Sequence, residues 1–159
     1  MHKIKVDAQK IANFFVRFSN EHGDNLTNLK LQKLLYFAQA WYLVFYKHPL
    51  FDNEIQAWVH GPVIPEVYSR FKKYGWSPII EEISKPDLSE NIKKHLIKVF
   101  NYYGRYSAYE LESITYGAEP WKNARDNLPP DASSENIISH QDMQDYYNRL
   151  YQEFKLFIK

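Results

Sequence analysis

Apolar residues recur at helical spacing from the start of the chain: Ala8, Ile11, Phe14, Phe15 and Phe18 follow Asp7, a helix-capping residue, and His22-Gly23 closes the run. This predicts an amphipathic helix. From Thr27 the pattern changes, because Leu29 through Tyr46 is apolar nearly all round, a helix about 30 Å long at the usual rise per residue. Lys30, Gln32, Lys33 and Gln39 keep it out of a bilayer, so it belongs in the middle of a domain with other elements around it. Pro49, after His48, is expected to stop it.

Between Leu50 and His60 the pattern alternates, with Ile55, Ala57 and Val59 against Gln56, Trp58 and His60, which predicts a short strand. Gly61-Pro62 should break it. Pro65 suits the first turn of a third helix carrying Tyr68, Phe71 and Tyr74 as far as Gly75, and Ser77–Ile83 is the expected pairing partner of the strand. Ser89 caps a fourth helix with Ile92, Leu96, Val99, Phe100 and Tyr103 on one face, ending at Gly104. Ser107-Ala108-Tyr109-Glu110 has capping-box spacing and opens a fifth, broken around Gly117. Pro120-Trp121 opens another turn, carrying Lys122 to Arg125. The loop Asn127–Ser134 follows, and Ser139 with Asp142 starts a last helix striped by Met143, Tyr146, Tyr147, Leu150, Phe154 and Phe157. The expected fold is mainly α: a single compact multi-helix domain over 1–159 around a buried central helix, with a small antiparallel β element.

Composition narrows the function. The chain has 159 residues, no Cys, no uninterrupted apolar run of the ~18 residues that a membrane span calls for, and no long apolar stretch in Met1–Asp7 of the kind a signal peptide carries, so a cytoplasmic protein held together by packing alone is expected. Its aromatic content is high, 17% with 13 Tyr and 10 Phe, enough to fill the core with large rings and leave some for partner contact. The net charge is +1, with 10 basic against 6 acidic side chains in residues 1–80 and 10 against 13 in 81–159. That asymmetry is mild and argues against nonspecific nucleic-acid binding.

No catalytic anchor emerges from the residues. The six His never stand four apart, no Gly-x-Ser-x-Gly elbow or Walker pattern occurs, and the 5 Gly are scattered, so neither metal, cofactor nor catalytic residue is expected. Two features stand out. Lys30 and Lys33, three apart on the apolar second helix, share a side and must escape to solvent or meet a carboxylate or a partner. Ala57–Val63 joins an indole, an imidazole and a Gly-Pro turn, which is either an exposed recognition corner or a strand packing its Trp on the central helix. Stacking of Tyr102, Tyr103, Tyr106 and Tyr109 on RNA would want a basic stripe that is missing, so core packing is the better reading of them.

Three stretches of sequence carry a family resemblance: Leu29–Tyr42, then Pro49-Leu50-Phe51, then Ile55–Tyr68 with Trp58-Val59-His60-Gly61-Pro62 at its centre. Together they closely resemble the Panacea domain, a phage-associated (GepA-type) domain. Tyr103–Leu111 and Glu119-Pro120-Trp121-Lys122 are similar to its next blocks, so nearly the whole chain is covered. There are two departures. Family members usually carry Thr-His where this chain has Thr115-Tyr116, and often Tyr where His60 stands. The resemblance implies a prophage or bacterial antitoxin that neutralises a cognate protein toxin by binding it, or, in one branch, an adaptor that hands the toxin to a cytoplasmic protease. It implies Lys30, Lys33, Trp58, His60, Tyr68 and Trp121 as partner-binding residues, without a cofactor and without catalysis by the domain; a homo-oligomer is compatible with it. The rival readings are a small His60-dependent enzyme and a nucleic-acid-binding autorepressor.

Overall fold

The computed structural model describes residues 6–155, and the expected position of Phe157 on the last helix lies outside them. The order is α1 (Ala8–Glu21), α2 (Asn28–Tyr46), β1 (Gln56–Trp58), β2 (Gly61–Val63), α3 (Pro65–Phe71) with a 3-10 turn at Lys72–Tyr74, α4 (Glu90–Tyr103), α5 (Ala108–Tyr116), α6 (Glu119–Arg125) and α7 (His140–Phe154). The mainly helical fold read from the sequence is the one observed. Side-chain oxygens of Asp7, Thr27, Ser89 and Ser139 each accept an amide from the first turn of their helix, and Ser107 with Glu110 forms both bonds of the capping box. The helix starts are therefore written locally, in the capping residues.

Helix α2 is the axis of the fold. From Leu31 through Val44 every residue is buried, which is why its pattern shows no polar face. Its buried amides serve the loops instead of solvent. Gln39 accepts from the Leu50 amide at 2.8 Å and donates to the Phe51 carbonyl at 2.7 Å, while Gln32 accepts from the Ile64 amide at 2.9 Å. Each stands in for the strand partner that those backbone groups lack. Around the axis the core is made of rings: Phe37 stacks on Tyr103 with centroids 3.8 Å apart, Trp41 donates to the Tyr103 hydroxyl at 2.7 Å, and Tyr147 of α7 donates to Tyr36 at 3.1 Å. No helix among the described residues is long and apolar enough to cross a membrane.

The details differ in five places. Helix α2 ends at Lys47, which takes a left-handed φ of 63° ahead of Pro49. The strand expected across Leu50–His60 is only Gln56–Trp58, and its partner is not Ser77–Ile83 but the Gly61–Val63 segment that follows directly, paired antiparallel with Ala57 opposite Pro62. Gly61-Pro62 returns the chain instead of ending the sheet, because Gly61 adopts φ 101° and a strand with one unpaired edge tolerates a residue without an N–H. The other edge of β1 meets residues 136–138, with Ala57 donating to the Asn136 carbonyl and Ile138 to the Ile55 carbonyl, both at 2.8 Å. Residues 77–83 run extended without a ladder; Ile79 is buried and donates to the Leu26 carbonyl, and Ile80 faces solvent. Phe154, expected on the apolar stripe of α7, also faces solvent.

Candidate functional site

The tip of the β1–β2 hairpin, Trp58 to Gly61, sits where α2, α5 and α6 converge, packed on α2 and held by side-chain hydrogen bonds from α5 and α6. Trp121 of α6 is buried and donates its indole N–H to the Trp58 carbonyl at 2.8 Å. Tyr116 of α5 shares its hydroxyl proton between the Val59 carbonyl and Glu112 Oε2, the latter at 2.9 Å. Burial, reinforced by that carboxylate, pushes the Tyr116 phenol well above its ordinary pKa, so it remains a donor. His60 Nδ1 lies 3.4 Å from Glu112 Oε1, with the imidazole largely in solvent and the carboxylate largely covered. The phenol of Tyr116 is thus one of the clamps on the hairpin.

Beneath the tip lies Lys33, completely buried, its Nζ without a hydrogen-bond partner among the described residues. Burial lowers its pKa from 10.5 to about 8, against a smaller upward pull from the Glu112 carboxylate. Lys30 and Lys33, expected to share a side and to reach solvent, a carboxylate or a partner, part ways. Lys30 reaches across to the end of α4 and donates to the Gly104 carbonyl at 2.6 Å, a favourable place for a cation, with burial still lowering its pKa against the opposing pull of Asp24 and Glu110. Lys33 turns inward because the hairpin crosses directly above it. A Cβ built on Gly61 would stand 2.8 Å from Lys33 Cε and 3.0 Å from Thr115 Oγ1, at a φ that L residues avoid. Gly61→Ala is expected to cost about 1–3 kcal/mol through strain and overpacking. Thermal unfolding reads the loss, and in a Lys33→Ala background the overpacking share should be recovered while the φ strain remains.

The outer face of the hairpin is open. Trp58 and Tyr68 meet edge to face with centroids 5.0 Å apart, the indole N–H satisfied by Gln56 Oε1 at 2.8 Å, and both rings are half-buried. They line a cleft of about 270 Å³ with Leu29 and Val63 on its walls and His60, Ser134 and Glu135 among its polar residues. Of the six residues singled out from sequence, Trp58, His60 and Tyr68 thus come together on this face. Trp121 and Lys33 lie inside and reach the face only through the hairpin they hold, and Lys30 points away to α4.

Sequence reading passed over Arg125 and Glu112. Arg125 is buried, donating to the Ala57 carbonyl at 3.1 Å and to those of Pro129 and Ala132 at 2.8 and 2.5 Å, with its guanidinium 4.6 Å from the Trp121 ring. It joins the hairpin to the Pro-Pro loop. Its signals are Trp121 one helical turn earlier and a following loop rich in carbonyls and poor in amide donors. Glu112 gave no sign, since its partners are distant in sequence.

The mainly helical domain and its clamped hairpin fall within a known class of protein. Residues 31–122 match the family described as "Antitoxin SocA-like, Panacea domain", a span covering most of α2, the hairpin, α3 to α5 and the first half of α6. The chain belongs to this antitoxin family. Antitoxin SocA of Caulobacter vibrioides (strain NA1000 / CB15N) is 33% identical over 129 residues, covering 73% of this chain and 69% of that protein. No solved structure matches.

Proposed function

We propose that this protein is the antitoxin of a toxin–antitoxin pair and neutralises its toxin by direct, non-catalytic binding, with the toxin seated on the face formed by Trp58, His60 and Tyr68. One observation carries the reading: two aromatic side chains lie half-exposed over an apolar cleft, Tyr68 on α3 and Trp58 on a hairpin fixed from below by Trp121, Tyr116 and Arg125. Aromatic anchors over pockets dominate binding energy at protein interfaces, and a backbone already fixed loses little freedom on association. The relative's name, Antitoxin SocA, and the family's description support the same function. A complex burying about 1,000–2,000 Å² in total would enclose this face.

Co-expression with the product of the neighbouring gene tests it. That product alone should arrest growth, and this protein should restore it while the two purify together. Trp58→Ala/Tyr68→Ala should keep the helical circular dichroism spectrum and lose at least tenfold in affinity, failing to restore growth. A neighbour that is harmless alone, or that stays toxic beside this protein, defeats the reading. Rescue accompanied by disappearance of the toxin, and abolished in a strain lacking a cytoplasmic protease, replaces neutralisation by binding with delivery for degradation.

A further inference from the structure

A second cleft, of about 390 Å³, lies at the opposite end of α2, where Phe45 and Tyr46 close the helix against Asn91, Lys94, His95 and Lys98 of α4 and Tyr151 of α7. Sixteen residues separate Phe45 from Leu29 in the hairpin cleft, which at helical rise is about 24 Å. Its walls are aromatic and set at right angles: Phe45 and Tyr151 have centroids 5.1 Å apart at 90°, and Tyr46 is held flat against Tyr42 at 4.4 Å. A planar ring entering here stacks on one face and meets the edge of another.

Its charge is of one sign. Lys94 and Lys98, one helical turn apart, are both exposed and have neither an ion pair nor a hydrogen-bond partner among the described residues. No Asp or Glu lines the cleft. His95 at its base adds no positive charge near neutral pH, because burial brings its pKa down to about 4 despite the opposing pull of the Ala38 carbonyl 2.9 Å from its Nε2. The volume is at the small end of sites that take compact ligands, and too small for a folded partner. We infer that this cleft binds a mononucleotide, its base between the Phe45, Tyr46 and Tyr151 rings and its phosphate bridged by the Lys94 and Lys98 ammonium groups, with the Asn91 amide able to contact the base edge or ribose. Two unpaired ammonium groups select a phosphate, and aromatic walls select a molecule that brings a planar ring with it.

The test titrates the full chain separately with AMP, UMP, adenosine and inorganic phosphate, following amide and aromatic resonances by NMR. At least one mononucleotide should saturate in the micromolar to low millimolar range, shifting resonances of α4 and the end of α2, and should bind more tightly than adenosine or phosphate. Lys94→Gln/Lys98→Gln, at two exposed positions, should weaken the mononucleotide about tenfold or more while leaving adenosine unchanged. Failure of both nucleotides to saturate, phosphate binding as tightly as the nucleotides, or indifference to the double substitution overturns the assignment. Toxin neutralisation need not change in this variant, so the two readings stand or fall separately.

Discussion

Arg125→Ala is expected to destabilise the protein by about 3–4 kcal/mol, from the void left by a large buried side chain and from a buried carbonyl that loses its donor. Arg125 is 2% exposed, and among the described residues it has no ion pair with a carboxylate; its hydrogen bonds go to backbone carbonyls of the hairpin and of the Pro129–Ala132 loop. Ala57 is the critical acceptor because it is fully buried within the strand. Lysine cannot reproduce a fork that spans two segments, so Arg125→Lys should recover less than half of the loss. Urea unfolding followed by circular dichroism checks both variants, and a midpoint shift equivalent to less than about 1 kcal/mol for the alanine variant would refute the assignment. Since Arg125 fixes the hairpin that carries Trp58, neutralisation should weaken even where the variant remains folded.

The opposite sign is expected for Lys33→Met, which should stabilise the protein by roughly 3 kcal/mol at neutral pH. The folded-state pKa of about 8 lies below the ordinary 10.5, and each unit corresponds to about 1.4 kcal/mol of penalty on the charged form. Folding thus disfavours the ammonium ion, and the penalty is fully present below pH 8. As pH rises from 8 towards 10.5 the unfolded chain holds the extra proton, so wild-type stability climbs through that window. The buried phenols of Tyr36, Tyr103 and Tyr147, all raised, oppose this once unfolded tyrosines begin to ionise near pH 10. The clean interval is therefore pH 8 to 10. Urea midpoints measured across it should rise for the wild type and stay flat for the methionine variant. A less stable methionine variant, or a flat wild type, would show that Lys33 has found a partner.

Much of the fold was legible because its signals are local. Thr27, Ser89, Ser107 and Ser139 cap helices through side-chain bonds three residues long, and the apolar run of α2 states its own burial. What escaped depends on residues far apart. Gly61-Pro62 has the composition of a strand end, and only the third segment at 136–138 makes β1 the middle of a ladder with β2 as its edge. The site divides in the same way. Trp58, His60 and Tyr68 belong to one continuous stretch and were found with it, while Glu112 and Arg125 earn no notice until folding brings them 52 and 68 residues back along the chain to His60 and Ala57. Helical spacing put Lys30 and Lys33 together, and the hairpin crossing one of them separated their fates.

The embrace of α2 by α7 also sets an order of events during synthesis. Tyr147 touches Tyr36, Phe37 and Trp41 across more than a hundred residues of intervening chain, so the aromatic centre stays open to water until His140–Phe154 has left the ribosome. A growing polypeptide halted before that point leaves the α7-facing side of its most apolar helix uncovered.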